Sequence, residues 1–493
     1  MKKLRLIGTI FAMVLFVGCS YNELPNNIDI QTISENSPIC LNIETRAEIY
    51  NGKELDRNYF VSASDLENFV KFRQNTSKRS TFSVKEVKSY GFDSSQTLFY
   101  ILNYDEGWEV VAADKRLQPT LAYGDSGEFT MDCDNEPMKF WMNMLADGVL
   151  QTRLRTADAT SATTSTTAST NSDTPTISSS EEQYVDFWEV VGLSSKKSME
   201  EQYTRAKYTY LIYSYDTVGE LMRGVHLDTA WSQKPPWNIY CPFKTDGSNE
   251  RAPAGCTAVA GAQLLYYFAQ NLGWEIYAPT TATCSGYINS YSRQFYGLSY
   301  NAWDNMAETI LDQTGNTSTT AALIAYVGSI SEMDYGNDGS SASVSDFTDA
   351  IEELYGITST TGSLWDYDTD VIISNLQNNI PVIIWGAENI FGGGHSWIID
   401  GYHKTTYSTV NFYVESDTPI DEQTLNSMNL LDADYTTTTN TLIVETFHMN
   451  FGWGSYYNDF YSMIPEWSFT DNKGNTITYD VVMRLYYNFA QNN

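Results

Sequence analysis

From Thr156 to Ser180, 16 of 25 residues are serine or threonine. A stretch this poor in apolar side chains has no face to offer a hydrophobic core. It predicts an exposed linker, and it divides the chain in two. With 493 residues in all, each side is long enough to build its own core. The first compact region is drawn at 51–150, the linker with a bridging segment at 151–225, and the second domain at 226–493.

The first region reads as a small α+β unit. "SASDLENFVKFRQ" carries Ser64 and Glu67 at capping-box spacing and puts Leu66, Phe69 and Val70 on one helical face. "TLFYILNY" and "WEVVAAD" read as strands around a turn at Asp105-Glu106-Gly107, and "EPMKFWMNMLADGVL" as a closing helix. The tyrosine-rich segment 182–225 reads as helical. In the second domain helices come first: "SVSDFTDAIEELYG" spaces Phe347, Ala350, Ile351 and Leu354 at helical intervals before Gly356. Strands follow in "PVIIWGAE", "HSWIIDGY", "TLIVETFHMNF" and "VVMRLYY". That order predicts an α+β domain with an antiparallel sheet.

The N-terminus has a basic head, Lys2, Lys3 and Arg5, then a short apolar run ending Phe16-Val17-Gly18-Cys19. The run is too short to span a bilayer comfortably. It resembles a bacterial lipoprotein signal in which Cys19 is lipidated and residues 20–50 form a spacer, although Phe16 replaces the usual leucine. The other reading is an ordinary cleaved secretion signal. Either way the protein is expected to be exported, with a lipid anchor at the outer membrane or cell surface as its membrane contact. The net charge of -32 disfavours nucleic acid as a partner.

Beyond Cys19 the thiols are Cys40, Cys133, Cys241, Cys256 and Cys284. Five in so long an exported chain are not a disulfide framework, and the odd count leaves one free. Cys241 and Cys284 could pair. No Cys or His spacing suggests zinc, and no metal or cofactor is expected. Cys256 stands out, in "APAGCTAVAGAQLLYYF". A buried cysteine can be plain packing. At the first turn of a helix, however, unpaired N–H groups and the helix dipole favour a thiolate nucleophile.

A nucleophilic cysteine needs a base, usually histidine. Of the four histidines, His226, His403 and His448 read as structural. His395 follows Gly392, Gly393 and Gly394 and opens an apolar strand, and glycines let another chain approach the ring. It lies 139 residues after Cys256, and Asn450 follows, giving the order Cys, His, Asn found in papain-like enzymes.

"AGCTAVAGAQLL", "MDYGNDGSSASVSDF", "IPVIIWGAENIFGGGHSWIIDGY" and "HMNFGWG" resemble, in order, the motifs of the streptopain family of secreted bacterial cysteine peptidases. "WSQKPPWNIYCP" is similar to the segment that family places before its nucleophile. "FYILNYDEGWEVVAADKRLQPTLAYGDSGEF" resembles its inhibitory propeptide. The resemblance implies a papain-like α+β peptidase preceded by a smaller α+β propeptide that inhibits it. It makes Cys256 the nucleophile and His395 its ion-pair partner. It makes Gln233 an oxyanion-hole donor, with Asn450 and Trp453 orienting and shielding His395. It also implies protein or peptide substrates with an apolar residue two positions before the cut. Phe451 departs from the family, which has tryptophan there. Two rivals stand beside this reading. One is a transglutaminase-like acyl transferase or amidase in which Asp400 orients His395. The other is an inactive surface-binding lipoprotein.

Overall fold

The computed structural model describes residues 30–32, 55–76, 83–91, 97–131, 135–163, 179–194, 202–204, 207–224, 227–277, 303–309, 315–362, 368–387, 394–428, 434–463, 468–470, 476–478 and 482–492. The expectations for the signal at 1–19 and for Cys40, Cys133, Cys284, His226, Gly392 and Gly393 fall outside these residues, as does all of the 20–50 spacer but a short strand at Ile30–Thr32.

Helix α1 (Ala63–Thr76) opens the first region and buries Leu66, Phe69 and Val70, as its periodicity requires. Its capping pair is Ser62 and Asp65, not Ser64 and Glu67. The Ser62 N–H donates to the Asp65 carboxylate at 2.9 Å, and the Asp65 N–H donates to Ser62 Oγ at 3.2 Å. Four antiparallel strands follow: β1 (Val84–Gly91), β2 (Thr97–Tyr104), β3 (Trp108–Ala112) and β4 (Thr120–Gly124). Helix α2 (Glu136–Thr163) runs past residue 150 into the Ser/Thr tract.

The bridging segment corrects one expectation. Helix α3 (Ser179–Ser194) is helical, but Lys207–Gly224 is strand β5. Its Tyr, Ile, Thr and Val residues are strand formers, and it pairs along its length with the strand Gly394–Ser416.

The second domain begins with helices α4 (Cys256–Gln270), α5 (Thr317–Ile330), α6 (Val344–Tyr355) and α7 (Thr369–Gln377). Helix α4 is buried on all sides through Phe268, so it reads as near-continuous small and apolar residues rather than as a stripe. On α6, Ser343 caps the start and Gly356 ends it in the left-handed region at φ 66. Phe347 and Ile351 are buried, whereas Leu354 is 52% exposed, so the apolar face is one turn shorter than expected. The strands are β6 (Ile357–Thr361), β7 (Val382–Ala387), β8 (Gly394–Ser416), β9 (Thr436–Asn450), β10 (Asp459–Tyr461) and β11 (Val482–Gln491). All their mutual pairings are antiparallel, which gives the expected α+β class.

One sheet runs through both regions in the order β1-β2-β3-β4-β10-β9-β8-β7-β11-β6. The junction is β4 against β10, with Tyr123 opposite Phe460 and Ala122 opposite Tyr461. Strand β5 lies along the outer part of β8, from Gly224 opposite Gly401 to Tyr208 opposite Ser416. Side chains seal the junction too. The Gln118 amide donates to the Glu445 carbonyl at 3.0 Å and accepts from the Glu445 N–H at 2.9 Å, imitating a strand neighbour. Phe140 and Trp141 of α2 share one buried cluster with Trp397 and Phe451 of the second domain. The first region is therefore docked across the second by both sheet and core.

Candidate active site

Cys256 is the first residue of α4 and is 9% exposed. The turn that delivers it depends on Gly255, at φ 91, where a side chain would be strained. A Cβ there would also lie 2.5 Å from the Met333 methyl and 3.3 Å from the Ser340 carbonyl. The hairpin carrying those two residues lines an open cleft of about 250 Å³ walled by Thr245, Asp334, Tyr335, Asn337 and Ser341. The turn before the thiol thus packs on the hairpin that walls this groove, and the thiol starts at the first helical turn, whose N–H groups have no partner within the helix.

His395 is the second residue of β8, opposite Gly386 on β7. The glycine before it has a steric reason: a Cβ on Gly394 would fall 2.4 Å from the Trp385 indole. The strand and the nucleophile helix meet one residue further on. Ser396 Oγ lies 3.2 Å from Thr257 Oγ1, so the residues after His395 and Cys256 touch. Above the His395 ring sits Phe140 of α2, with centroids 6.5 Å apart. Burial pushes the His395 pKa below its ordinary value, and the Glu136 carboxylate opposes this in part. Among the described residues the ring has an aromatic neighbour and no hydrogen-bond partner.

Gln233 is buried and lies on a segment zipped on both sides. Its carbonyl accepts from the Ala254 N–H at 3.0 Å, two residues before Cys256. On the other side Ser232 bridges to Trp453, and the Gly454 N–H donates to the Trp231 carbonyl at 2.9 Å. Trp453 also carries the Lys234 ammonium 4.9 Å above its ring. Gln233 and Trp453 thus belong to one layer against the nucleophile turn.

Asn450 departs from its expected place. Its hydrogen-bond partners among the described residues are Thr229, Gln263 and Gly452, not His395. The amide donates to the Thr229 carbonyl at 2.8 Å and accepts from Gln263 Nε2 and the Gly452 N–H, both at 3.2 Å. Thr229 in turn donates to Gln263 Oε1 at 3.0 Å. All three side chains are buried, and leaving an amide unpaired there is costly, so this closed set claims Asn450. Phe451 is also internal, packed on Trp397 and Tyr461.

Asp400 is fully buried and serves a different histidine. Its Oδ1 lies 2.5 Å from His448 Nδ1, and its Oδ2 accepts from the Leu227 N–H at 2.5 Å. His448 Nε2 donates to the Asn458 carbonyl at 3.0 Å. With both ring nitrogens facing acceptors the ring is held protonated. Burial alone would lower its pKa, but the Asp400 charge and hydrogen bond raise it on balance. Among the described residues no group of three His, Cys, Asp or Glu side chains is placed to hold a metal ion.

Phe140, Thr257, Ser396, Gln263 and Thr229 are missing from the sequence-based site. A hydroxyl directly after each candidate catalytic residue is the one local signal that was available.

Residues 231–415 match the peptidase C10 family, and residues 62–149 match the Spi protease inhibitor. The chain is thus similar to the streptopain family in both a peptidase region and an inhibitor region. Streptopain of Streptococcus pyogenes is 27% identical over 212 residues, covering 38% of this chain and 51% of streptopain. Streptopain of serotype M1 matches to the same extent. The match thus spans about half the length of these curated relatives. Among solved structures, a mutant prointerpain A fragment of Prevotella intermedia superposes with a TM-score of 0.46 at 19% identity, over 83% of this chain and 99% of that one. Active wild-type interpain A of the same organism gives a TM-score of 0.34 at 20% identity, over 53% and 94%.

Proposed function

We propose that this chain is the exported zymogen of a cysteine endopeptidase. The observation that carries the reading is the meeting of two elements. A helix that starts at a buried cysteine after a left-handed glycine is joined, one residue on, to a strand that starts at a histidine.

In the reaction the Cys256 thiol passes its proton to His395, and the sulfur attacks the scissile carbonyl carbon. Negative charge develops on the carbonyl oxygen, and the Cys256 N–H and the Gln233 amide stabilise it. His395 protonates the departing amine, and the C–N bond breaks to leave a thioester on Cys256. His395 then takes a proton from water, which attacks the thioester, releasing the acid and the thiol. Asn450 and Trp453 support the site from behind by holding segment 229–233 against α4.

The first region acts as the inhibitor, and its α2 covers His395. Removing it exposes the site. The basic and apolar N-terminal run supports export, with Cys19 as the lipid anchor. The transglutaminase-like alternative needs Asp400 on His395, yet both Asp400 oxygens are engaged by His448 and Leu227.

The test is the fate of purified full-length protein on standing. It should shorten, while Cys256→Ala stays intact until active enzyme is added. A thiol-directed covalent inhibitor should label Cys256 and stop the shortening. Self-shortening of Cys256→Ala, or a wild-type protein that is neither labelled nor active on peptides, would remove the proposal and favour a binding lipoprotein.

A further inference from the structure

Thr257 and Ser396 are small polar residues buried inside the site. Thr257 is 2% exposed and Ser396 1%. A buried hydroxyl costs stability unless it is bonded, so where each proton goes can be followed. Thr257 Oγ1 donates to the Ala342 carbonyl at 2.9 Å. Its one proton is thereby spent. The 3.2 Å contact between the two hydroxyls must then be donated by Ser396 to Thr257 Oγ1. The result is a directed chain, Ser396 to Thr257 to Ala342.

Each member sits next to something that matters. Thr257 follows Cys256 on α4, and Ser396 follows His395 on β8. Ala342 follows the hairpin residues Ser340 and Ser341, and that hairpin walls the cleft beside Gly255. The chain thus ties the nucleophile helix, the histidine strand and the cleft wall at one point. Apolar residues of the same size would fill this space without fixing its geometry, since dispersion contacts have no direction. Two hydrogen bonds in series do fix it.

We propose that Thr257 and Ser396 are positioning residues. Their hydroxyl chain sets the separation of the Cys256 sulfur and the His395 ring, and it couples both to the cleft wall. The proposal rests on the cysteine-peptidase reading above. Neither residue touches the reacting atoms, so neither is called catalytic.

The test uses full-length protein and the shorter form it yields, with peptide hydrolysis and thermal unfolding read on the same samples. The variants are Thr257→Val, Ser396→Ala, the double variant and the conservative Thr257→Ser. Misplacement of reacting groups by about 1 Å costs up to about 100-fold in rate, so a fall in kcat of about 10-fold is expected for Thr257→Val and for Ser396→Ala. KM should change by less than about 2-fold, because substrate binding is not what the chain controls. The double variant should be no slower than the worse single one, since both break the same chain. Thr257→Ser keeps the hydroxyl and should keep kcat. Thermal unfolding shows whether a variant is folded, and if Thr257→Val is not, Ser396→Ala and Thr257→Ser still decide. Unchanged kcat in Ser396→Ala, multiplying effects in the double variant, or loss of kcat in Thr257→Ser as large as in Thr257→Val would overturn the proposal. An inactive wild type would fail the peptidase reading instead, and is seen in the same assay.

Discussion

Phe140 of the first region lies over His395 of the second, with ring centroids 6.5 Å apart. It is held there by its own packing against Trp397, two residues further along the same strand at 6.1 Å. The ring that a peptidase would need for proton transfer thus has a tilted aromatic contact with the region similar to a protease inhibitor.

This contact predicts a titration. Burial lowers the His395 pKa, so the folded chain holds the ring neutral where a free histidine would begin to charge. The sign follows from linkage: a depressed histidine makes the folded state lose stability as pH falls below its ordinary range near 6.5. In full-length Cys256→Ala, adding Phe140→Ala should move the His395 titration upward, followed by NMR of the imidazole C–H. A titration that stays in place would mean that Phe140 does not set the burial of the ring.

The junction of β4 and β10 carries a second titrating group. Burial, with Asp125 nearby adding to it and His448 opposing, pushes the Asp459 carboxyl up to about 7. A carboxyl raised in the folded state holds its proton there while the unfolded chain has lost it. Stability is therefore greatest at acid pH and declines as pH rises towards 7. Thermal unfolding of full-length Cys256→Ala from about pH 4 to about pH 7, the window between the ordinary and the raised carboxyl value, should show that decline. Asp125→Asn should make it somewhat shallower, since burial, the larger cause, remains. An equal slope in both proteins would exclude Asp125 as a cause.

Gln233 allows the oxyanion role to be separated from folding. Its segment is anchored through backbone groups of Gln233, Trp231 and Ser232, which a side-chain truncation leaves in place. Gln233→Ala should cost about 10²–10³-fold in kcat with the unfolding midpoint nearly unchanged. Kinetics equal to wild type would reduce Gln233 to a packing residue.

Asp400 should behave in the opposite way. Removing one partner of a buried pair typically costs about 3–5 kcal/mol. Asp400→Ala should lose stability of that size in urea titrations, while the kcat of whatever remains folded changes little. A collapse of kcat at unchanged stability would instead revive Asp400 as the orienting partner of His395.

What could be read from the sequence was local. Gly255, Cys256 and the small-residue run after it announce a turn feeding a buried helix, and no distant residue is needed to see this. The antiparallel strands of the second domain are equally self-evident from their apolar runs. Phe140 was out of reach because its role depends on how α2 docks, which helical periodicity does not encode. Asn450 looked like a partner for His395 because chain order carries no information about side-chain partners. Its actual neighbours, Thr229 and Gln263, are 221 and 187 residues away in the chain. Strand β5 was hidden by its many tyrosines, which fit a helix or a strand until its pairing with the distant β8 is seen.

The position of the activating cut follows from which body each bridging element joins. Helix α3 packs on the first region, where Phe187 and Trp188 contact Phe69 and Phe187 also contacts Phe72, and the same cluster takes in Tyr407, Leu442 and Val444 of the second domain. Strand β5 is hydrogen-bonded along β8 of the second domain. A cut inside either element would require it to unravel first, because proteolysis needs exposed and locally unfolded chain. Gln202–Thr204 is itself a short strand paired with β5, so a cut after Ser194 and before Gln202 parts the covalent link between α3 and β5 without opening a strand pair. It also ends the tether, which on a short linker keeps an inhibitor at an effective concentration of around millimolar. The stable product should therefore begin between residues 195 and 202, retaining Gln233. N-terminal sequencing of the shortened protein checks this. A first residue beyond Tyr208, or a fully active chain still joined to the first region, would show that separation of α3 from β5 is not the activating event.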